Sequence, residues 1–261
     1  MSENTWSEHA DLSVDDSGTG TLRIQNAGKL NILSTPVICA LTEALAHVAD
    51  RDDIRVLVVR GEGDGAFIAG ADIKEMAHFD MQRAAAFIDG LRKLSDAIRL
   101  LPKPVIARIP GWCLGGGMEF ALACDFRIGA DAAKMGMPEV KVGIPSIIQA
   151  ALLPRLIGTA RSSWMLLTGE IVDADKALNW GLLDSVVPLT DLDEEVTRVA
   201  RMMTGLGPAA LAQQKRLLRE WENEPLETSI LNGVREFAQA FNTGEPQKYM
   251  GEFIKAKQKS V

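Results

Sequence analysis

From Gly115 to Cys124 the chain offers no polar face on which a helix could meet water. Three consecutive glycines open the segment, and Met118, Phe120, Ala121, Leu122 and Ala123 surround a single carboxylate, Glu119. A helix that is apolar on every side belongs inside a protein. A carboxylate trapped there is costly unless it is paired or hydrogen-bonded. Glycines let a backbone come close to a ligand, and they leave N–H groups unpaired at a helix N-terminus. Glu119 could merely complement the helix dipole, but that role suits a wet face. Anion-stabilising amides beside a buried carboxylate point to a catalytic site.

The surrounding sequence alternates strand and helix signals. Leu22–Gln25, the β-branched run Ile54–Val59, Pro104–Ile109 and Phe126–Ile128 read as strands, the middle two buried on both faces. Ser34 or Thr35 with Pro36 starts a helix whose apolar face is Val37, Ile38, Leu41, Leu45 and Val48. Phe87, Ile88, Leu91, Leu94 and Ile98 form a second helical stripe. Beyond about residue 158 the strand signal fades and helical patterns take over. This predicts an α/β core over residues 1–195 and a helical region over 196–261.

Composition narrows the function classes. Of 261 residues, 47% are hydrophobic, and a net charge of −7 argues against nucleic-acid or acidic-membrane binding, which needs a basic field. Cys39, Cys113 and Cys124 have no metal or disulfide spacing and read as free thiols. The three histidines, His9, His47 and His78, show no ligand spacing either, so no metal site is expected. The polar N-terminus is unlike a signal peptide, and no stretch is apolar enough for a membrane span, so a cytoplasmic location is expected. The glycines Gly61, Gly63 and Gly65 lead into Phe67-Ile68-Ala69 and a second turn, not directly into a helix, which speaks against a dinucleotide-binding loop.

The segments Phe67–Met76, Lys103–Ala107 and Gly111–Glu119 resemble the enoyl-CoA hydratase/isomerase (crotonase) superfamily. The likeness continues in family order through Ala123–Arg127, Met135–Glu139, Pro154–Gly158, Leu167–Glu170 and Trp180–Val187. It implies a spiral of ββα turns followed by a C-terminal helical region that makes trimers or dimers of trimers. It also implies an oxyanion hole formed by the N–H groups of Ala71 and Gly116, gripping the thioester carbonyl of an acyl-CoA. Ala69, Gly70, Asp72, Ile73 and Lys74 would lie along the coenzyme with Leu30 and Gly115, and Lys29 and Lys74 would meet its phosphates.

By the same resemblance Glu119 would activate water and Glu139 would deliver a proton to the α-carbon. Two carboxyls flanking one water suit that division of labour. The pair favours an enoyl-CoA hydratase, converting a 2-enoyl-CoA to a 3-hydroxyacyl-CoA with no cofactor beyond the thioester substrate. One departure stands out. Where hydratases continue Pro-Gly-x-Gly-Gly-Thr-Gln-Arg-Leu, this chain has Pro145-Ser146-Ile147-Ile148-Gln149-Ala150-Ala151-Leu152-Leu153. Ile147 and Trp112 are expected to shape the acyl pocket. The departure keeps open another reaction at the same enolate, such as isomerisation, C–C hydrolysis or dehydration of a functionalised acyl-CoA. A non-catalytic binding protein is the reading from another class, and the intact glutamate pair counts against it.

Overall fold

The computed structural model describes residues 4–258. Strands β1 (Asn4–Ser7), β2 (Ala10–Val14) and β3 (Thr19–Ile24) precede helix α1 (Thr35–Ala49). Then come β4 (Val56–Arg60), β5 (Ala66–Ile68), α2 (Ile73–Met76), α3 (Met81–Leu100), β6 (Val105–Ile109), β7 (Trp112–Leu114) and α4 (Gly116–Ala123). Next are β8 (Phe126–Ala130), β9 (Lys134–Gly136), α5 (Leu153–Ile157), α6 (Thr159–Thr168), β10 (Ile171–Asp173), α7 (Ala174–Trp180) and β11 (Ser185–Val187). Helices α8 (Leu192–Thr204), α9 (Pro208–Trp221), α10 (Leu226–Ala240) and α11 (Glu245–Gln258) close the chain.

Each turn of the core places one strand in a large sheet, the next in a small sheet, and then a helix. The large sheet runs β1-β2-β3-β4-β6-β8-β11, parallel from β3 onward, and the small one runs β10-β9-β7-β5. The units β4-β5-α3 and β6-β7-α4 are therefore successive ββα turns of one spiral.

The continuous apolar runs of β4 and β6 follow from burial on both faces. Leu57, Val59, Val105, Ala107 and Ile109 point into the main core shared with α1, α3 and α4. Val56, Val58 and Ile106 point the other way, where Leu192, Val196, Ala200 and Met203 of α8 cover them. The boundary expected near residue 195 thus falls inside a helix that packs on the sheet. The last strand, β11, ends at Val187, and from α8 onward the described chain is helical.

Strands β10 and β11 correct the expectation that the strand signal ends near residue 158. Each has three residues, too few to display a period of two. Lys215 of α9 pins the C-terminal helices to the core, its Nζ donating to Asp125 Oδ2 at 2.6 Å and to the carbonyls of Ile98 and Lys103 at 3.0 Å. Leu226, Ile230, Leu231, Val234 and Phe237 leave one side of α10 apolar and exposed. Among the described residues no helix is long and apolar enough to cross a membrane.

Candidate active site

The parallel pairing of β5 with β7, Ala66 opposite Trp112 and Ile68 opposite Cys113, sets two loops side by side at the strand ends. One carries Gly70 and Ala71, the other Gly115 and Gly116. A Cβ built on Gly116 would lie 4.0 Å from the Ala71 Cβ, and one on Gly115 would lie 3.9 Å from the Gly70 Cα. Ala71 bridges Leu33, and that bridge uses the Gly70 carbonyl and the Asp72 N–H, not the Ala71 N–H. Gly116 is the first residue of α4, where an N–H has no acceptor within the helix. Ala71 and Gly116, from different turns of the spiral, are therefore brought side by side.

Two of the three glycines are forced. A Cβ on Gly117 would meet the Ile68 carbonyl at 2.3 Å, so only glycine lets α4 sit this close to β5. Gly115 has φ +53°, and its Cβ would stand 2.8 Å from Glu139 Oε1. All eight residues of α4 are buried, as its sequence requires.

Both glutamates, both amide-bearing residues, Gly115 and Ile147 line one cavity of about 330 Å³. Glu119 is only 4% exposed, and its Oε1 accepts from the Ala150 N–H at 3.3 Å. Glu139 opens a 3-10 helix, Glu139–Val142, and its Oε2 accepts from Ser146 Oγ at 2.9 Å. Burial first and the neighbouring Glu139 charge second push Glu119 up to about 8, against the pull of backbone hydrogen bonds from Ala150 and Ile147. Burial also raises Glu139, opposed by its own backbone N–H and by the Ser146 hydroxyl. Two carboxyls with raised affinity for protons and one shared cavity are suited to moving protons at neutral pH.

The rest of the cavity is apolar. Ala84, Ile88 and Leu91 present one face of α3 to it, and Met76, Val142 and Ile144 also line it. Ala69, Gly70 and Ile73 also line it. Trp112, expected to help set the acyl volume, does not. It stands 40% exposed at the start of β7, at the far end of that strand from Gly115. Lys29, Leu30, Asp72 and Lys74 likewise lie outside the cavity wall. Leu30 is joined to it through its carbonyl, which accepts from the Ala69 N–H at 3.0 Å. The Asp72 side chain caps α2, accepting from the N–H groups of Lys74 and Glu75. Sequence reasoning passed over Ser146 and the Ala150 amide. Ile88 was legible as part of a helical stripe, but its place on a cavity wall was not.

The profile of the enoyl-CoA hydratase/isomerase family matches residues 15–260. The chain belongs to that family. A crotonyl-CoA hydratase of Syntrophomonas wolfei is 35% identical over 221 residues, covering 84% of each chain. A probable enoyl-CoA hydratase of Mycobacterium tuberculosis is 35% identical over 244 residues, covering 92% of each. Among solved structures, an enoyl-CoA hydratase of Mycobacterium smegmatis superposes with a TM-score of 0.91 at 27% identity, covering 96% of this chain and 97% of that one. The ββα spiral and the helical C-terminal region described above are the fold of this enoyl-CoA hydratase/isomerase family.

Proposed function

We propose that the chain hydrates a 2-enoyl-CoA to a 3-hydroxyacyl-CoA. The observation that carries this reading is the pair Glu119 and Glu139 in one cavity with the adjacent Ala71 and Gly116 amides. Those amides would hold the thioester oxygen as it gains negative charge, and a donor of this kind contributes roughly 3–4 kcal/mol. The single proton of the pair rests on Glu119 and first passes to Glu139. The freed Glu119 carboxylate then takes a proton from water while the oxygen bonds to Cβ. The electrons move onto the thioester oxygen, and the Glu139 carboxyl then gives its proton to Cα. The turnover ends with Glu119 protonated and Glu139 ionised, so one proton returns from Glu119 to Glu139 before the next. The reaction is acid–base chemistry on a thioester and calls for no prosthetic group.

The coenzyme would run along Ala69–Lys74 beside Leu30, with Lys29 and Lys74 toward its phosphates. Support comes from the exposure of both lysines and from the Leu30–Ala69 hydrogen bond that holds the Lys29 loop against the cavity. The apolar wall suits a hydrocarbon acyl group. The exposed side of α10 supports assembly as a trimer or dimer of trimers, and three free thiols fit a reducing compartment such as the cytoplasm. Phe237→Asp should then yield smaller particles by light scattering.

The test is loss of enoyl absorbance on adding the protein to crotonyl-CoA and to longer and branched enoyl-CoAs, beside Glu119→Gln. Turnover that disappears in the variant supports hydration. Turnover of none of them overturns it in favour of another reaction at the same enolate, the reading that the bulky 145–153 segment keeps open.

A further inference from the structure

The segment from Ser146 to Ala150 touches both glutamates at once. Ser146 Oγ donates to Glu139 Oε2 at 2.9 Å, and four residues later the Ala150 N–H donates to Glu119 Oε1 at 3.3 Å. Between them Ile148 has φ +42°. A β-branched residue in the left-handed region is a genuine outlier, and surrounding structure has to hold it there. Ile148 packs against the main core, and Gln149 and Ala150 behind it are buried, so the turn is held from behind.

We propose that Ser146 is a positioning residue for Glu139. This rests on the hydratase reading above and adds to it. The serine hydroxyl holds Oε2, which keeps Oε1 over Gly115, 2.8 Å from where a Cβ would lie. The strained turn at Ile148 fixes the serine relative to the amide that holds Glu119. One short segment thereby sets the relative placement of two carboxyls that come from different turns of the spiral.

The charged groups facing Glu139 are few. Of the residues lining the cavity, only Glu119 and Lys141 share it as charged groups. The Lys141 stem runs past Gly169, and its charge acts on Glu170 beyond α6. Beside Glu139's own backbone N–H, Ser146 is therefore the side-chain contact through which Glu139 can be both oriented and tuned.

The test compares Ser146→Ala and Ser146→Thr in hydration of an enoyl-CoA across pH. Ser146→Ala should lower kcat about 10- to 100-fold, as expected when a reacting group is misplaced, and change KM less than about twofold. Its acid limb should move to higher pH, because the lost hydrogen bond favoured ionised Glu139. Ser146→Thr, which keeps the hydroxyl, should restore both. In a Glu139→Gln background Ser146→Ala should have no further effect. Unchanged kcat and pH limb, a change in KM alone, an equal loss in that background, or failure of threonine to rescue each overturn the proposal.

A second readout needs no substrate. Titration of Glu139 followed by carbon NMR on glutamate-labelled protein, assigned with Glu139→Gln, should move upward in Ser146→Ala. An unmoved titration overturns the positioning role. An upward move in a protein that hydrates no enoyl-CoA overturns the hydratase reading and supports the contact.

Discussion

Gly115 and Glu139 meet across the cavity so closely that any side chain on the first would collide with the carboxyl of the second. The separation from a built Cβ to Oε1 is 2.8 Å, and the φ of +53° at Gly115 disfavours every other residue independently. Gly115→Ala should therefore displace Glu139 or the neighbouring Gly116 amide. Hydration should fall by about 100-fold or more, while stability falls by roughly 1–3 kcal/mol from backbone strain. Rate assays beside thermal melts check both. A fully active Gly115→Ala enzyme would contradict the geometry.

The pH profile follows from the raised affinity of Glu119. The pair works with one proton between its members. That proton rests on Glu119 up to about 8 and passes to Glu139 before water is attacked; above about 8 it is lost, and none is left for Cα. Activity should decline through that value. In Glu139→Gln the repelling charge is gone, so Glu119 should titrate lower. The pH dependence of kcat/KM in the parent enzyme, with an NMR titration of the variant, checks the two statements.

The same residue links pH to stability. Glu119 has an ordinary value of 4.5 when unfolded and stays neutral to about 8 when folded. Its contribution is complete below about 4.5 and is lost as pH rises through 8, where holding it buried costs a few kcal/mol. Glu119→Gln never bears that cost. The melting temperatures of parent and variant should converge near pH 4.5 and diverge in favour of the variant toward pH 8. Parallel curves would contradict a buried, proton-retaining Glu119.

Lys215 carries a stability prediction away from the site. It is the shared donor to Asp125 and to two carbonyls of the core. Lys215→Met leaves Asp125 with only the Val105 N–H at 2.7 Å and should cost about 3–5 kcal/mol. Pairing it with Asp125→Asn should recover part of the loss. Urea unfolding of the parent and the two variants is the measurement.

Local features made much of this legible in the sequence. The all-apolar α4, its glycines and the anomaly of Glu119 lie within nine residues, so their meaning needed no tertiary contact. The helix Thr35–Ala49 and the buried strands were visible for the same reason. Glu139 carried no such signal, being an unremarkable glutamate after a proline until the spiral brings it to Gly115. Ser146 and Ala150 were hidden because their partners lie 7 and 31 residues away. Trp112 matches a family position that bears on the acyl pocket, but the sequence does not say which end of β7 its side chain occupies.

The loops that carry Ala71 and Gly116 are set side by side by main-chain pairing between β5 and β7. Substitutions that replace carboxyls or reshape the acyl wall therefore leave that pair of donors in register. On the function proposed above, such a scaffold would separate the holding of an oxyanion from the choice of what happens next, and acids and bases at positions such as 119, 139 and 146 could change while those donors stay in place.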